Sequence, residues 1–139
     1  MTTGTLGSTA RRNTSQQVGY LRFTVNWNDA GIATGANKQW LPAGAVIIGT
    51  DVNVTTAFNA ATTNVLSVGI EASTYANIAA SASVLAGATG LKQNIVPTGT
   101  ALVDLAADSQ VFALYTQTGA AATAGRAIVI VKYVPNNDL

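Results

Sequence analysis

VGYLRFTVNW, residues 18–27, alternates apolar and polar side chains from Leu21 onward. Leu21, Phe23, Val25 and Trp27 fall on one side of an extended chain, and Tyr20, Arg22, Thr24 and Asn26 on the other. Successive side chains of a strand point to opposite faces, so this period of two predicts a β-strand with one buried face. NDAG (28–31) follows with turn formers.

The same signal recurs along the chain. A polar stretch leads to QWLPAG (39–44), where Pro42 and Gly44 punctuate before AVIIGTDVNVT (45–55). That run places Val46, Ile48, Val52 and Val54 on one face with Asp51 and Asn53 on the other, and Gly49 marks a bend or bulge. VLSVGI (65–70), QVFALYTQ (110–117) and RAIVIVKYV (126–134) read as further strands. NIVP (94–97) and ALVDL (101–105) are short apolar pieces separated by Pro97 and Gly99. The final strand is apolar on both faces, which fits a central strand or an edge covered by another subunit. TGAAATAG (118–125), between the last two strands, reads as a small-residue hairpin loop.

Two segments are less regular. In FNAATTNVLSVG (58–69), Phe58 is a core plug, and Asn59 and Asn64 are placed to bond their own backbone in turns before the strand begins. In STYANIAASASVLAGA (73–88), the spacing of Tyr75, Ile78, Ala79 and Ala82 suits a short helix capped by Ser73, and an irregular crossing segment suits it as well. Seven or eight strands with at most one short helix predict an all-β, jelly-roll-like antiparallel β-sandwich.

Residues 1–17, MTTGTLGSTARRNTSQQ, are too polar to fold alone. They read as an extended, flexible N-terminal arm, either disordered or ordered against a neighbouring subunit through Arg11 and Arg12. Residues 18–139 then form one β-sandwich domain. The arm has no apolar core after its charges, so no signal peptide is expected, and no run approaches the length of a membrane-spanning helix.

The composition narrows the function. Charged residues make up 9% of the 139 residues, seven Lys and Arg against six Asp and Glu; an ordinary globular domain carries about 25%. Thr, Ser, Asn, Gln and Ala must cover most of the surface, which suits a protein partly covered by partners. A net charge of +1 with scattered cations argues against electrostatic binding of nucleic acid. The chain has no Cys and no His, which removes thiolate nucleophiles, zinc sites of the usual kind and the commonest general base. Asp51-Val52-Asn53 is a fragment of a calcium loop that Val54 interrupts, so a polar strand face is expected there. No Ser or Thr has an activating partner, and no phosphate-binding glycine pattern occurs. No enzyme activity, metal or cofactor is expected. Of the tryptophans, Trp27 belongs to the core, and Trp40, just before the Pro-Gly turn, is an interface candidate.

A resemblance rests on residues 40–69. Leu41-Pro42-Ala43-Gly44, the following valine and isoleucine strand, Ala57-Phe58-Asn59, Thr63-Asn64-Val65-Leu66 and Val68-Gly69 resemble the jelly-roll cement (capsid decoration) proteins of short-tailed bacteriophages, of the Bordetella phage type. More loosely, the likeness extends through 18–134. It implies a protein on the outer surface of an icosahedral phage head, bridging neighbouring major capsid proteins and pairing with itself, as a dimer rather than a trimer. It carries over no catalytic residue; from the charge and the short apolar runs, neither nucleic acid nor membrane is expected as a partner. The arm and the loops around 28–44 and 118–125 are where a shell would be met. Arg11, Arg12, Trp40 and Tyr133 are the candidate capsid or self interface. A tail-fibre or other minor virion module, or a carbohydrate-binding sandwich with Tyr20, Trp40 and Tyr133 gathered on one surface, are the competing expectations.

Overall fold

The structure is a computed structural model that describes residues 18–70 and 74–136. The expected arm with Arg11 and Arg12, and the capping Ser73, lie outside the described residues.

Seven strands follow in order: β1 (Gly19–Asn26), β2 (Ala36–Leu41), β3 (Val46–Thr56), β4 (Thr63–Gly69), β5 (Gly90–Ile95), β6 (Ser109–Thr118) and β7 (Arg126–Val134). They form an antiparallel sheet ordered β1-β7-β3-β5 and another ordered β2-β6-β4. The pairing is nested: first strand with last, second with sixth, third with fifth. A long hairpin rolled onto itself gives this jelly-roll order.

The inner faces carry the core. Phe23 and Val25 of β1, Ala127, Val129 and Val131 of β7, and Val52 and Val54 of β3 are buried. They face Leu41, Leu66, Val68, Val111, Ala113 and Tyr115 of the other sheet, which are buried as well. Each fully buried aliphatic side chain contributes about 1.5–3 kcal/mol. The alternation in β1 is as expected, with Trp27 partly buried against the core. β7 is a central strand between β1 and β3, which accounts for its two apolar faces.

Several expectations are corrected. Val46 and Ile48 do not share a face with Val52 and Val54: Ile47 is buried, and Val46 and Ile48 are 38% and 51% exposed. The register against β7 shifts between Ile47 and Gly49, where Gly49 has φ 153°. The extra residue inverts the phase of the strand, so everything before the bulge points the opposite way from a straight reading. Residues 118–125 are not a hairpin loop, because β6 and β7 lie in different sheets and the segment crosses between them. The apolar piece 94–97 contributes only Asn94 and Ile95 to β5, which begins at Gly90, and the piece 101–105 is loop after a short 3-10 turn, Gly99–Ala101, that takes its first residue. β2 was not foreseen in its polar stretch.

The segment 74–89 is mainly an irregular crossing, with a single helical turn, α1 (Ser81–Val84). It stands where an eighth strand would close the second sheet. Only the bridge Val68↔Ala79 forms, with Ile78 N–H and Ala79 N–H both donating to the Val68 carbonyl and Val68 N–H to that of Ala79. Asn77, buried, locks the crossing: its Oδ1 accepts from Ile70 N–H at 2.8 Å and its Nδ2 donates to Thr100 Oγ1 at 3.1 Å. The Tyr75 ring stacks on Phe112 at 4.6 Å, covering part of the sheet's outer face.

Candidate interaction surface

The outer face of the four-stranded sheet is the most distinctive surface. Cross-strand register sets its rows. Tyr20, Lys132 and Gly49 lie side by side, then Arg22, Ile130 and Asp51, then Thr24, Ile128, Asn53 and Leu91. Lys132 Nζ reaches Asp51 Oδ1 at 3.4 Å and Asn94 Oδ1 at 3.2 Å, while Asp51 also accepts from Asn94 N–H at 2.9 Å. Asp51 is thereby engaged as part of a polar strand face.

One end of this face is apolar. Val18, Tyr20, Val46, Ile48 and Val134 are exposed there, with Val46 opposite Val134 in register. A shallow groove runs between Val18, Tyr20, Arg22, Ile130 and Lys132. Arg22 has no hydrogen bond or ion pair among the described residues. Val46 and Ile48 reach this surface only because of the bulge at Gly49, and that glycine inside an apolar run was the one sequence signal for it.

The free edge of β1 is treated unevenly along its length. Trp27 N–H donates to the Gly125 carbonyl, on the β7 side, at 3.1 Å, which fixes the phase. The backbone groups of Leu21, Phe23 and Val25 face β7, and those of Tyr20, Arg22, Thr24 and Asn26 face outward. Lys38 Nζ donates to the Thr24 carbonyl at 3.0 Å, and Asn26 N–H donates to Asp29 Oδ2 at 2.9 Å. Lys38 and Asp29 are themselves ion-paired. Partial burial pushes the Asp29 carboxyl up, but the Asn26 N–H, the Lys38 hydrogen bond and the Lys38 charge together outweigh it and hold the group below its usual value. This pair plugs one half of the edge, a common defence against stray strand pairing.

Of the expected interface residues, Trp40 is 54% exposed. It projects from the outer face of the three-stranded sheet, beside Gln110 and next to inward-facing Leu41. Tyr133 packs on the core, its ring lying against Gly19. Tyr20 and Trp40 therefore stand on the outer faces of different sheets, and the aromatic cluster expected of a sugar-binding face does not form. The loop 118–125 is tied to 58–64. Asn59 Oδ1 accepts from Thr123 and Ala124 N–H, and Gln117 Oε1 from Ala122 N–H at 2.7 Å. Asn64 does bond its own turn, at Ala60, whereas Asn59 bonds the opposite loop. Among the described residues no cluster of metal-ligating side chains occurs, and no helix is long and apolar enough to cross a membrane.

No family model and no curated protein matches this sequence. Solved structures do match the fold. A chain from the capsid of Ralstonia phage GP4 has a TM-score of 0.58 at 21% identity, over 88% of this chain and 86% of that one. A chain from the acid-stable capsid of the Helicobacter pylori bacteriophage KHP30 has a TM-score of 0.57 at 17% identity, over 84% and 86%. A chain from the capsid asymmetric unit of cyanophage Pam1 has a TM-score of 0.50 at 22% identity, over 85% and 81%. Because the aligned part is a similar share of both chains, these neighbours are close to this protein in size.

Proposed function

We propose that this protein is a capsid decoration (cement) protein, bound to the outer face of an icosahedral phage head and bridging neighbouring major capsid proteins. The observation that carries this reading is the match, over 84–88% of this chain, to chains of similar size taken from three phage capsids. The sparse charge, the apolar end of the outer sheet face and the exposed Trp40 support it, since each suits contact with a crowded lattice. The proposed role is structural rather than catalytic, and includes pairing with a second copy.

The mechanism follows from linkage. A ligand that binds only the assembled lattice stabilises that lattice by about 2.7 kcal/mol per site when its concentration is a hundred times its dissociation constant. A chain that touches two shell subunits, or pairs with a copy of itself, gains further through effective concentration. Weak individual contacts then suffice.

Imaging purified particles by cryo-electron microscopy, with mass spectrometry of their proteins, tests this. The reading requires this chain in regular array over the shell. A few copies at one vertex would place it in the tail, and absence from particles would refute a virion role.

A further inference from the structure

The half of the β1 edge that the Asp29–Lys38 plug leaves uncovered has a chemistry of its own. At Tyr20 and Arg22 the outward backbone N–H and C=O groups have no partner among the described residues, whereas the Thr24 carbonyl and both backbone groups of Asn26 are engaged. Next to this open stretch lies the apolar groove of Val18 and Tyr20. On the same outer face, two residues along from Tyr20, stands the Arg22 guanidinium, unpaired among the described residues.

We propose that residues 18–22 are a strand-addition site for an extended segment of another protein, one that carries a carboxylate two residues from an apolar side chain. Main-chain hydrogen bonds to Tyr20 and Arg22 would supply affinity, and the side chains on one face would supply selectivity. Residues two apart in a strand share a face. The carboxylate therefore meets Arg22 while its apolar neighbour covers Tyr20 and Val18. Charge complementarity selects the occupant. A second copy docked on this edge would bring two Arg22 and two Lys132 together, and the only carboxylate in these rows, Asp51, is already held by Lys132 and Asn94. The plug limits the ladder to this short stretch, so the edge accepts a segment without templating a continuous sheet. This inference stands on the open edge, the groove and the Arg22 charge, and is independent of the shell reading.

The test uses the full chain, isotope-labelled for NMR. The probe is a nonapeptide, threonine throughout except for valine, aspartate and valine at its third, fifth and seventh positions. A second peptide has lysine in place of the aspartate. The aspartate peptide is expected to shift and protect the Tyr20 and Arg22 amides while leaving the already protected Leu21 and Phe23 amides unchanged. The lysine peptide is expected to bind about tenfold more weakly, and Arg22→Glu to reverse that order. Tyr20→Pro, which removes an N–H from the open edge but none from the β7 ladder, is expected to abolish binding. No perturbation at these two amides, or equal binding of both peptides, overturns the proposal. Sedimentation showing a dimer that Tyr20→Pro converts to monomer also overturns it, because a second copy would then be the occupant.

Discussion

Tyr115 donates its hydroxyl to Asn64 Oδ1 at 2.6 Å, and the Asn64 amide in turn pairs with both backbone groups of Ala60, accepting from its N–H at 2.9 Å and donating to its carbonyl at 3.2 Å. Phe58 closes the same site, its ring centroid 4.7 Å from that of Tyr115. Asn64 thus joins β4, the loop before it and β6 through a single side chain. Asn64→Ala leaves the Ala60 N–H and carbonyl without this partner and the buried phenol with only a long contact to Gln117 Oε1 at 3.4 Å, and is expected to cost about 2–3 kcal/mol. Tyr115→Phe leaves Asn64 still bonded to Ala60 and should cost about 1 kcal/mol. Urea denaturation of the two variants checks the order; equal costs would mean that Asn64 acts only through the tyrosine.

Burial raises the Tyr115 phenol above its usual value, and the Asp29 carboxyl lies below its own. The two act at opposite ends of the pH scale. Asp29 holds its charge more readily when folded, so its contribution is present above the unfolded value of about 3.9 and is lost as pH falls through the folded one. Asp29→Asn is therefore expected to lower stability by about 1 kcal/mol at neutral pH and to converge on the parent protein in strong acid. Tyr115 resists ionisation when folded, so stability falls as pH rises above the ordinary phenol value of about 10. Thermal melts across pH test both; a constant Asp29→Asn deficit down to acid pH would contradict the first.

Thr50 is fully buried, and its Oγ1 finds no hydrogen-bond partner among the described residues. A hydroxyl kept dry without a partner is costly. Thr50→Val keeps the shape and is expected to be neutral or stabilising by up to about 1 kcal/mol. A clear loss of stability in a denaturation curve would contradict this account.

Trp40 and Tyr133 should separate by the property they alter. Trp40 is largely exposed, so Trp40→Ala is expected to change stability by no more than about 0.5 kcal/mol and, on the proposed capsid role, to weaken attachment to shells. Tyr133 packs on the core and against Gly19, and Tyr133→Ala is expected to cost about 2 kcal/mol. Melting curves, together with co-sedimentation with shells that lack this protein, distinguish the two.

The parts of the fold legible in the sequence were those governed by period alone. β1, β6 and β7 announce themselves because each keeps one phase from end to end. β3 does not, since the bulge at Gly49 turns Val46 and Ile48 outward, and a pattern read straight through a bulge inverts half the strand. β2 and β5 were missed because their edge positions admit Asn37, Gln39, Lys92 and Gln93, which carry little apolar signal. The loop after β6 looked like a hairpin since neighbours in sequence usually pair; here the roll separates them into different sheets. The plug on β1 was invisible for another reason. Asp29 and Lys38 belong to no shared period, and only the fold brings them to the same backbone edge.

The knot joining 58–64 to 118–125 is made of uncharged amides, hydroxyls and backbone: Asn59, Asn64, Gln117, Tyr115, and Thr63 with Thr118. Mobile ions screen charges, and no formal charge takes part in these contacts. That end of the molecule should therefore hold one shape from nearly pure water to brine, whatever the ionic strength around it.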